Sequence, residues 1–258
     1  MSKGASVASQ DVFKGDGGSR FVQRVTLAAF EIVFLIAAYW TYISAKNLFH
    51  YQDISRPFAN AVHVISLERL MGLFREASLQ QWFLQHSRWV IVLSDWTYAY
   101  GFWAGIALVA AGLYRFKREK YQDYRNIMLI SFMFAIVIFA LFPLTPPRLM
   151  GGLGFTDTMA QFGPKSYFSS GELLGYNKYA AMPSMHYGWS LLVMAACLEF
   201  KSRLIKVAGF SFPIIIFFAI VVTGNHYILD GVMALPIIAI SVYLYGRMKL
   251  NWQRMHPN

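Results

Sequence analysis

The sequence predicts an all-α, polytopic membrane protein with six transmembrane helices, and three observations support this class. Hydrophobic residues make up 57% of the 258-residue chain and charged residues 14%, which is too little charge for the surface of a soluble domain of this length. The apolar residues are collected in six blocks, each near the ~20 residues that a helix needs to cross a bilayer. Within the blocks, apolar and polar residues do not alternate as they do in the strands of a membrane barrel.

The six predicted spans follow one another along the chain with charged or polar connections between them. They cover residues 22–45, 89–114, 124–146, 183–200, 204–222 and 227–246. The first block begins too late, and is followed by too many others, to be only a cleaved signal peptide. The third block ends in the stretch LFPLTPP, because proline stops a helix.

The remaining segments divide into tails and outer connections. We expect a disordered cytoplasmic tail over residues 1–20, a single membrane domain over 21–250, and a short cytoplasmic tail over 251–258. Within the domain, residues 47–88 are predicted to form an outer interfacial segment. Residues 147–182 form a Gly-, Ser- and Tyr-rich outer loop that is expected to shape a substrate entrance.

The segment between the first and second spans carries an amphipathic pattern. In HVISLERLMGLFREASLQQWF, four apolar residues share one helical face: Leu67, Leu70, Met71 and Phe74. Four charged residues fall largely elsewhere: Glu68, Arg69, Arg75 and Glu76. This pattern predicts a helix that lies flat in the outer interface or packs over the mouth of the bundle.

Basic residues orient the predicted bundle. With the N-terminus inside, fifteen of the 23 Lys and Arg residues fall in short inner segments next to span ends, where positive charge keeps a loop in the cytoplasm. Both termini are therefore predicted to be cytoplasmic. The net charge of +10 reflects this topology, so we expect no nucleic-acid partner. The single cysteine, Cys197, excludes a disulfide within the chain and is expected to be a packing residue.

Under this topology three polar stretches reach the outer, extracytoplasmic membrane face together. PPRLM ends the third span, MPSMH begins the fourth, and TGNH begins the sixth. They bring five side chains that can do chemistry to one depth: Arg148, Ser184, His186, His226 and Asp230.

His226 and Asp230 are four residues apart at the start of the last apolar block. On a helix such residues share a face, so the carboxylate can accept the proton of one ring nitrogen and leave the other nitrogen as a nucleophile. Ionisable residues within a membrane are functional candidates because their desolvation must be offset. The alternative is a His–Asp hydrogen bond that only ties helices together.

The other members of the cluster suit a phosphate group. Pro183 and Ser184 begin a helix, whose first amides bind anions, and His186 follows them as a candidate proton donor. Arg148 presents a fork that matches two phosphate oxygens. Taken singly, His186 can also be read as a capping histidine and Arg148 as a span-end anchor.

Together these residues predict a site that breaks a phosphate ester. One histidine attacks phosphorus while the other protonates the leaving oxygen, and the phosphohistidine then passes its group to water or to another alcohol. This chemistry requires neither a metal nor another cofactor. A zinc ion held by the two histidines and Asp230 is the alternative, and it leaves Arg148 unexplained.

PSMH at 183–186, HYILD at 226–230 and PPR at 146–148 resemble the type 2 phosphatidic acid phosphatase superfamily. The stretch LERLMGLFREASLQQW looks like the branch that contains the inositol phosphorylceramide synthases. The resemblance implies a six-helix membrane core with an extracytoplasmic active site. It also implies a nucleophile at His226, its orienting carboxylate at Asp230, a proton donor at His186, and phosphate binding by Arg148 and Ser184.

The chain departs from the phosphatase pattern at four positions. Where that pattern has lysine, proline, glycine and arginine, this chain has, in the same order, Leu141, Leu149, Met185 and Ile220. Two of three expected basic phosphate ligands are thus absent at their usual positions. Lys165 and Lys178 in the outer loop are read either as solvated loop charges or as residues that compensate for this loss. The loss suits a phosphodiester, which carries less charge than a phosphate monoester.

The sequence therefore predicts a membrane enzyme that transfers a phospho-head group between lipids in the manner of an inositolphosphotransferase. The substrate would be a phospholipid or a polyprenyl phosphate, with an alcohol such as inositol as an acceptor. A phosphatase of lipid phosphates or polyprenyl diphosphates is the alternative enzyme. A lipid binder or transporter without catalysis is the alternative of another class. Asn225 and Asp95 are further candidates for substrate contact. Asp95 can instead pair with a neighbouring helix, and Glu31 in the first span is expected to have such a structural role.

Overall fold

The computed structural model describes residues 54–165 and 178–256, together with residues 26, 29, 31, 33 and 40. The chain divides into two units, Met1–Leu48 and Phe49–Asn258, and the second unit contains all the predicted catalytic residues. The tail predicted over 1–20 and most of the first predicted span lie outside the described residues. The six-span count and the domain boundaries therefore stay predictions.

In the described ranges the ordered elements are helical, and the β-structure consists of an isolated bridge between Leu144 and Ala180. Nine α-helices follow in chain order within the same ranges: α1 Ser55–Leu70, α2 Glu76–His86, α3 Arg88–Trp96, α4 Phe102–Phe116, α5 Arg118–Leu141, α6 Thr158–Phe162, α7 Met185–Leu198, α8 Arg203–Val222 and α9 Ile228–Met255. A π-helical turn, Thr97–Gly101, joins α3 to α4, and a 3₁₀ turn, Pro147–Leu149, follows α5.

Four described helical segments are long and apolar enough to cross a membrane. They are Arg88–Phe116, Arg118–Leu141, Arg203–Val222 and Ile228–Met255, which correspond to the second, third, fifth and sixth predicted spans. The fourth predicted span is the apolar helix α7, which has only 14 residues. It is shorter than expected because Ser184 caps its start and the chain leaves the helix at Glu199.

The third span ends earlier than the sequence predicts. Helix α5 stops at Leu141, since Phe142 precedes Pro143 and adopts a non-helical conformation. The chain then runs extended, with the Thr145 amide donating to the Pro57 carbonyl, before it turns at Pro147–Leu149. This early stop is what carries Arg148 across to the start of the last helix.

The outer segment is two helices rather than one, and its polarity differs from the predicted pattern. The chain turns between α1 and α2 at Gly72, whose φ is 70°. Leu70 is 85% exposed, whereas Glu68 and Glu76 are fully buried. The prediction that these charged residues lie away from the packed face was wrong, because their carboxyls accept hydrogen bonds from the first amides of α9.

The bundle around the site is built on the contact between α7 and α8. The lone cysteine, Cys197 on α7, is buried against Gly209 on α8, where the absence of a side chain lets the two helices approach closely. Helix α9 packs against α5 and α7, and α4 packs against α7. The packing role predicted for Cys197 is thus confirmed.

Candidate active site

His226 lies in the tight connection between α8 and α9. The connection reverses at Gly224, whose φ is 67°, and the amides of Asn225 and His226 both donate to the Ile220 carbonyl. Helix α9 begins two residues after His226, so Asp230 falls in its first turn. We call residues 223–230, which carry the predicted nucleophile His226, the nucleophile loop.

The hydrogen bonds of the His226 ring determine its tautomer. Nδ1 lies 2.8 Å from the carbonyl oxygen of Ala181 and 3.2 Å from Oδ2 of Asp230. Both neighbours are acceptors, so Nδ1 carries the proton and Nε2 carries a lone pair. Nε2 is buried and has no hydrogen-bond partner among the described residues. The arrangement leaves a nucleophilic nitrogen ready for an electrophile.

Asp230 fixes both the ring and the start of its own helix. Oδ2 also accepts from the Tyr227 amide at 2.9 Å, which satisfies one of the first-turn amides of α9. The backbone carbonyl of Asp230 accepts from the Ser184 amide at 2.9 Å. The segment before α7 is therefore joined both to the His226 ring and to the first turn of α9. The sequence indicated the carboxylate but gave no signal for the shorter bond to Ala181.

His186 stands beside His226 in an aromatic enclosure. The two imidazole centroids are 5.9 Å apart. The His186 ring stacks on Tyr98 at 4.2 Å and lies 4.4 Å from the ring of Phe102. The backbone carbonyl of Tyr98 is a hydrogen-bond partner of His186, and it belongs to the π-helical turn. The aromatic run WTYAYGFW was visible in the sequence, but its contact with His186 was not.

Arg148 is bonded to the nucleophile loop and to Asp157. Its amide donates to the Gly224 carbonyl at 2.8 Å, and Nε donates to Oδ1 of Asn225 at 3.0 Å. Nη1 forms an ion pair with Oδ2 of Asp157 at 3.0 Å. The predicted convergence of Arg148 with His226 is thus present in the structure. Asn225 orients the guanidinium and is itself fixed by donating to the Thr223 hydroxyl at 2.7 Å.

Asp157 is a member of the site that sequence reasoning missed. It caps the short helix α6, because its Oδ1 accepts from the Ala160 amide while Oδ2 binds Arg148. The next residue, Thr158, donates its hydroxyl to Oδ1 of Asp95 at 3.0 Å. Asp95 is fully buried, and the bond from Thr158 ties it to the α6 segment. An acidic residue in a polar loop gives no sequence signal for such a pairing.

The remaining predicted residues cap a helix or lie at the surface. Ser184 is fully buried and caps α7, since its hydroxyl accepts from the Tyr187 amide at 3.4 Å. Lys165 and Lys178 are exposed residues on either side of the undescribed segment 166–177. Within the described ranges no three His, Cys, Asp or Glu side chains are grouped so that they could hold a metal ion. The zinc alternative therefore gains no support from the geometry.

An apolar cavity adjoins the site through the chain segment before Ser184. Its volume is about 270 Å³, and its lining is Ile138, Phe142, Met182, Pro183 and Met233. The lining side chains are all hydrophobic, which is the environment that an alkyl chain requires.

Comparisons with known proteins give two findings. A family model described as "PAP2 superfamily" matches residues 62–244. The solved structure titled "Crystal structure of Aquifex aeolicus LpxE" is similar, with 15% sequence identity and a TM-score of 0.43. That similarity covers 71% of this chain and 94% of the other chain. Comparison with curated protein sequences gives no match.

Proposed function

The chain belongs to the PAP2 superfamily, and we propose that this membrane enzyme breaks a phosphate ester of a lipid with His226 as its nucleophile. The observation that carries the proposal is the His226 ring itself. Its Nδ1 lies within hydrogen-bond distance of two acceptors, and its Nε2 has no hydrogen-bond partner among the described residues. A neutral imidazole held in this way attacks through Nε2.

In the first step Nε2 attacks phosphorus, and the Nε2–P bond forms as the ester P–O bond to the leaving alcohol breaks. The His226 ring becomes positively charged, and the carboxylate of Asp230 beside Nδ1 stabilises that charge. His186, whose ring is 5.9 Å away, enters this step protonated, donates its proton to the leaving oxygen and becomes neutral. In the second step the neutral His186 takes a proton from the hydroxyl of the acceptor. The oxygen of that hydroxyl attacks phosphorus, the Nε2–P bond breaks, and His226 is released.

The phosphate is held by a cation and a helix start. Arg148 lies beside the nucleophile loop, bound to Asn225 and to the Gly224 carbonyl. The start of α7, capped by Ser184, offers first-turn amides and the positive end of a helix dipole. These groups bind the oxygens that do not react, so charge is stabilised where it accumulates.

The charge of this site favours a phosphodiester over a monoester. Arg148 shares its charge with Asp157, so the pair presents little net positive charge to a ligand. Leu141 and Ile220 stand where the phosphatase pattern has basic residues. A monoanionic diester suits such a site better than a dianionic monoester. We therefore propose transfer of a phospho-head group, such as phosphoinositol, from one lipid to the hydroxyl of a second lipid.

Hydrolysis is the second candidate function, and membership of the PAP2 superfamily favours it. Water would then accept the group from His226, and the substrate would be a lipid phosphate or a polyprenyl diphosphate. In either case the apolar cavity lined by Met182, Met233 and their neighbours would hold part of a hydrocarbon tail. The positive-inside pattern supports an extracytoplasmic site with cytoplasmic termini.

The test is an assay in detergent micelles with EDTA, offering radiolabelled phospholipids with and without a second lipid that bears a free hydroxyl. Wild type is compared with His226→Ala and with His63→Ala, a matched control because His63 is an exposed histidine on α1. A new phospholipid that forms only with an acceptor supports transfer, and inorganic phosphate released without an acceptor supports hydrolysis. Equal turnover by His226→Ala and His63→Ala would refute the nucleophile. Saturable lipid binding without turnover would favour the binding protein instead.

A further inference from the structure

Helices α1 and α2 turn three buried polar side chains toward the nucleophile loop. Glu68, Glu76 and Gln80 are each fully buried. Glu76 and Gln80 are four residues apart on α2 and therefore share one face of that helix. Burying two carboxyls and an amide is costly unless each finds partners, so their contacts show what they are for.

The two carboxyls bind successive amides of the nucleophile loop and of α9. Oε1 of Glu76 accepts from the Ile228 amide at 3.1 Å, and Oε1 of Glu68 accepts from the Leu229 amide at 2.8 Å. Oδ2 of Asp230 takes the preceding amide, that of Tyr227, at 2.9 Å. Three consecutive amides, which a helix start otherwise leaves unpaired, are thus each bound by a different carboxyl.

Glu68 and Glu76 also bind each other. The Glu68 carboxyl is hydrogen-bonded to the Glu76 carboxyl. Oε2 of Glu68 is buried and receives no hydrogen bond from an N–H or O–H group of the described residues, so it is the place for a proton. Glu68 lies outside the four membrane-crossing segments, and burial, followed by Glu76 and Asp230, raises its pKa to about 9. The pair therefore shares one proton at neutral pH.

We propose that Glu68 and Glu76 are positioning residues, a carboxyl pair that clamps the first turn of α9 and thereby holds the His226 ring in its reactive orientation. The inference rests on the proposed role of His226 as the nucleophile. The clamp acts through the backbone, since Asp230 follows directly after Leu229 and its carboxylate meets Nδ1 at 3.2 Å. A shift of the first turn would move Asp230 away from the ring.

Gln80 extends the clamp to the other side of the loop. Its Oε1 accepts from the Thr156 amide at 2.8 Å, so it holds the segment that carries Asp157. The Gln80 amide nitrogen packs against Gly224, since it would lie 3.3 Å from a Cβ atom placed on that glycine. The outer helices thus contact both the loop that presents His226 and the segment that pairs with Arg148.

The kinetic test uses three variants on the outer helices. Glu68→Ala removes the acceptor, whereas Glu68→Gln keeps an oxygen for the Leu229 amide and supplies an N–H for Glu76. Asn60→Ala is the matched control, because Asn60 on α1 donates to the Pro143 carbonyl and not to the nucleophile loop. We expect Glu68→Ala to lower kcat about 100-fold, because small displacements of catalytic groups cost rates of that order. KM should change less than about twofold, and Glu68→Gln and Asn60→Ala should keep kcat within about threefold.

A second measurement is independent of catalysis. Backbone amide exchange of the peptide that covers residues 223–233 is followed in micelles without lipid substrate. We expect about tenfold faster exchange at the Ile228 and Leu229 amides in Glu68→Ala, and unchanged exchange in Glu68→Gln and Asn60→Ala. If Glu68→Ala does not fold, Glu76→Ala carries the same expectation.

The outcomes separate this inference from the proposed function. Unchanged amide exchange in Glu68→Ala would overturn the clamp. So would a loss of kcat in Glu68→Gln or Asn60→Ala as large as the loss of kcat in Glu68→Ala. A wild type that turns over no lipid would contradict the proposed function. The exchange rates would still show whether the carboxyl pair holds the loop.

Discussion

Replacing Asp157 with Asn tests the step from the charge of the site to its substrate. Asp157 is paired with Arg148 at 3.0 Å, and its side chain is 27% exposed against 6% for Arg148. Asparagine retains an oxygen for the guanidinium and is as good a helix cap as aspartate, so α6 should persist. The substitution therefore removes one negative charge from the site while keeping its hydrogen bonds.

The magnitude follows from the distance between Asp157 and a bound phosphate. A phosphate on the far side of the guanidinium lies roughly 6 Å from the Asp157 carboxylate, where two unit charges repel by about 2.8 kcal/mol at an effective dielectric of 20. Solvent around the partly exposed Asp157 reduces this to about 1.4 kcal/mol for each negative charge on the ligand. A dianionic monoester carries one charge more than a diester, so it should gain about tenfold in relative kcat/KM.

The assay compares phosphatidic acid, a monoester, with phosphatidylinositol, a diester, in micelles at pH 8, where a phosphate monoester is close to doubly charged. The ratio of their kcat/KM values is measured for wild type and for Asp157→Asn. Asp123→Asn is the control, because Asp123 pairs with Lys249 and does not contact Arg148. An unchanged ratio in Asp157→Asn, or a ratio shifted toward the diester, would refute the reasoning.

Three further substitutions test the site and its support. Asp230→Asn keeps a hydrogen-bond acceptor near His226 but removes the negative charge. In steady-state kinetics kcat should fall about 100-fold, or about 2.7 kcal/mol, at nearly constant KM. A loss of kcat under threefold would contradict this. Gly224→Ala forces a side chain into a left-handed position 3.3 Å from the Arg148 amide, so denaturant unfolding should show a loss of about 1–2 kcal/mol. The pKa of Glu68 is about 9 in the folded state, against an ordinary value of 4.5. Between these pH values the folded state binds more protons than the unfolded state. The free energy of unfolding therefore falls as pH rises, by at most about 1.4 kcal/mol per pH unit. Glu68→Gln should flatten the dependence of Tm on pH between 5 and 9, and parallel curves for the two proteins would contradict the shared proton.

Much of the candidate site could be predicted because its signals are local. His226 and Asp230 are four residues apart, and Ser184 and His186 begin one helix, so spacing alone places each pair. Arg148 follows the prolines at the end of the third predicted span, and the predicted topology brings it to the same end of the bundle. The structure places these residues together as expected.

The contacts that tune the site could not be predicted because they are distant in sequence. The Ala181 carbonyl that binds His226 is 45 residues away, and the Leu229 amide that binds Glu68 is 161 residues away. A glutamate in a mixed stretch is ordinarily solvent-exposed, so nothing local indicated that Glu68 would be buried. Its burial is stabilised by backbone amides, which leave no trace in the side-chain pattern.

Helix ends show the same limit at shorter range. The sequence has three prolines near the end of the third predicted span, at positions 143, 146 and 147. The prediction ended the span at Pro146, whereas Pro143 already stops α5 at Leu141. The extended segment after it is held by the bridge between Leu144 and Ala180, which no local pattern indicates.

The most direct test of the account is to trap the covalent intermediate. Wild type is mixed with a phospholipid carrying labelled phosphorus and quenched under alkaline conditions, and the peptides are analysed by mass spectrometry. We expect the label on the peptide that contains His226, with an inositol phosphate adduct when phosphatidylinositol is the donor, and no label in His226→Ala. Lipid turnover by a folded His226→Ala protein at the wild-type rate, with no labelled histidine in either protein, would contradict it.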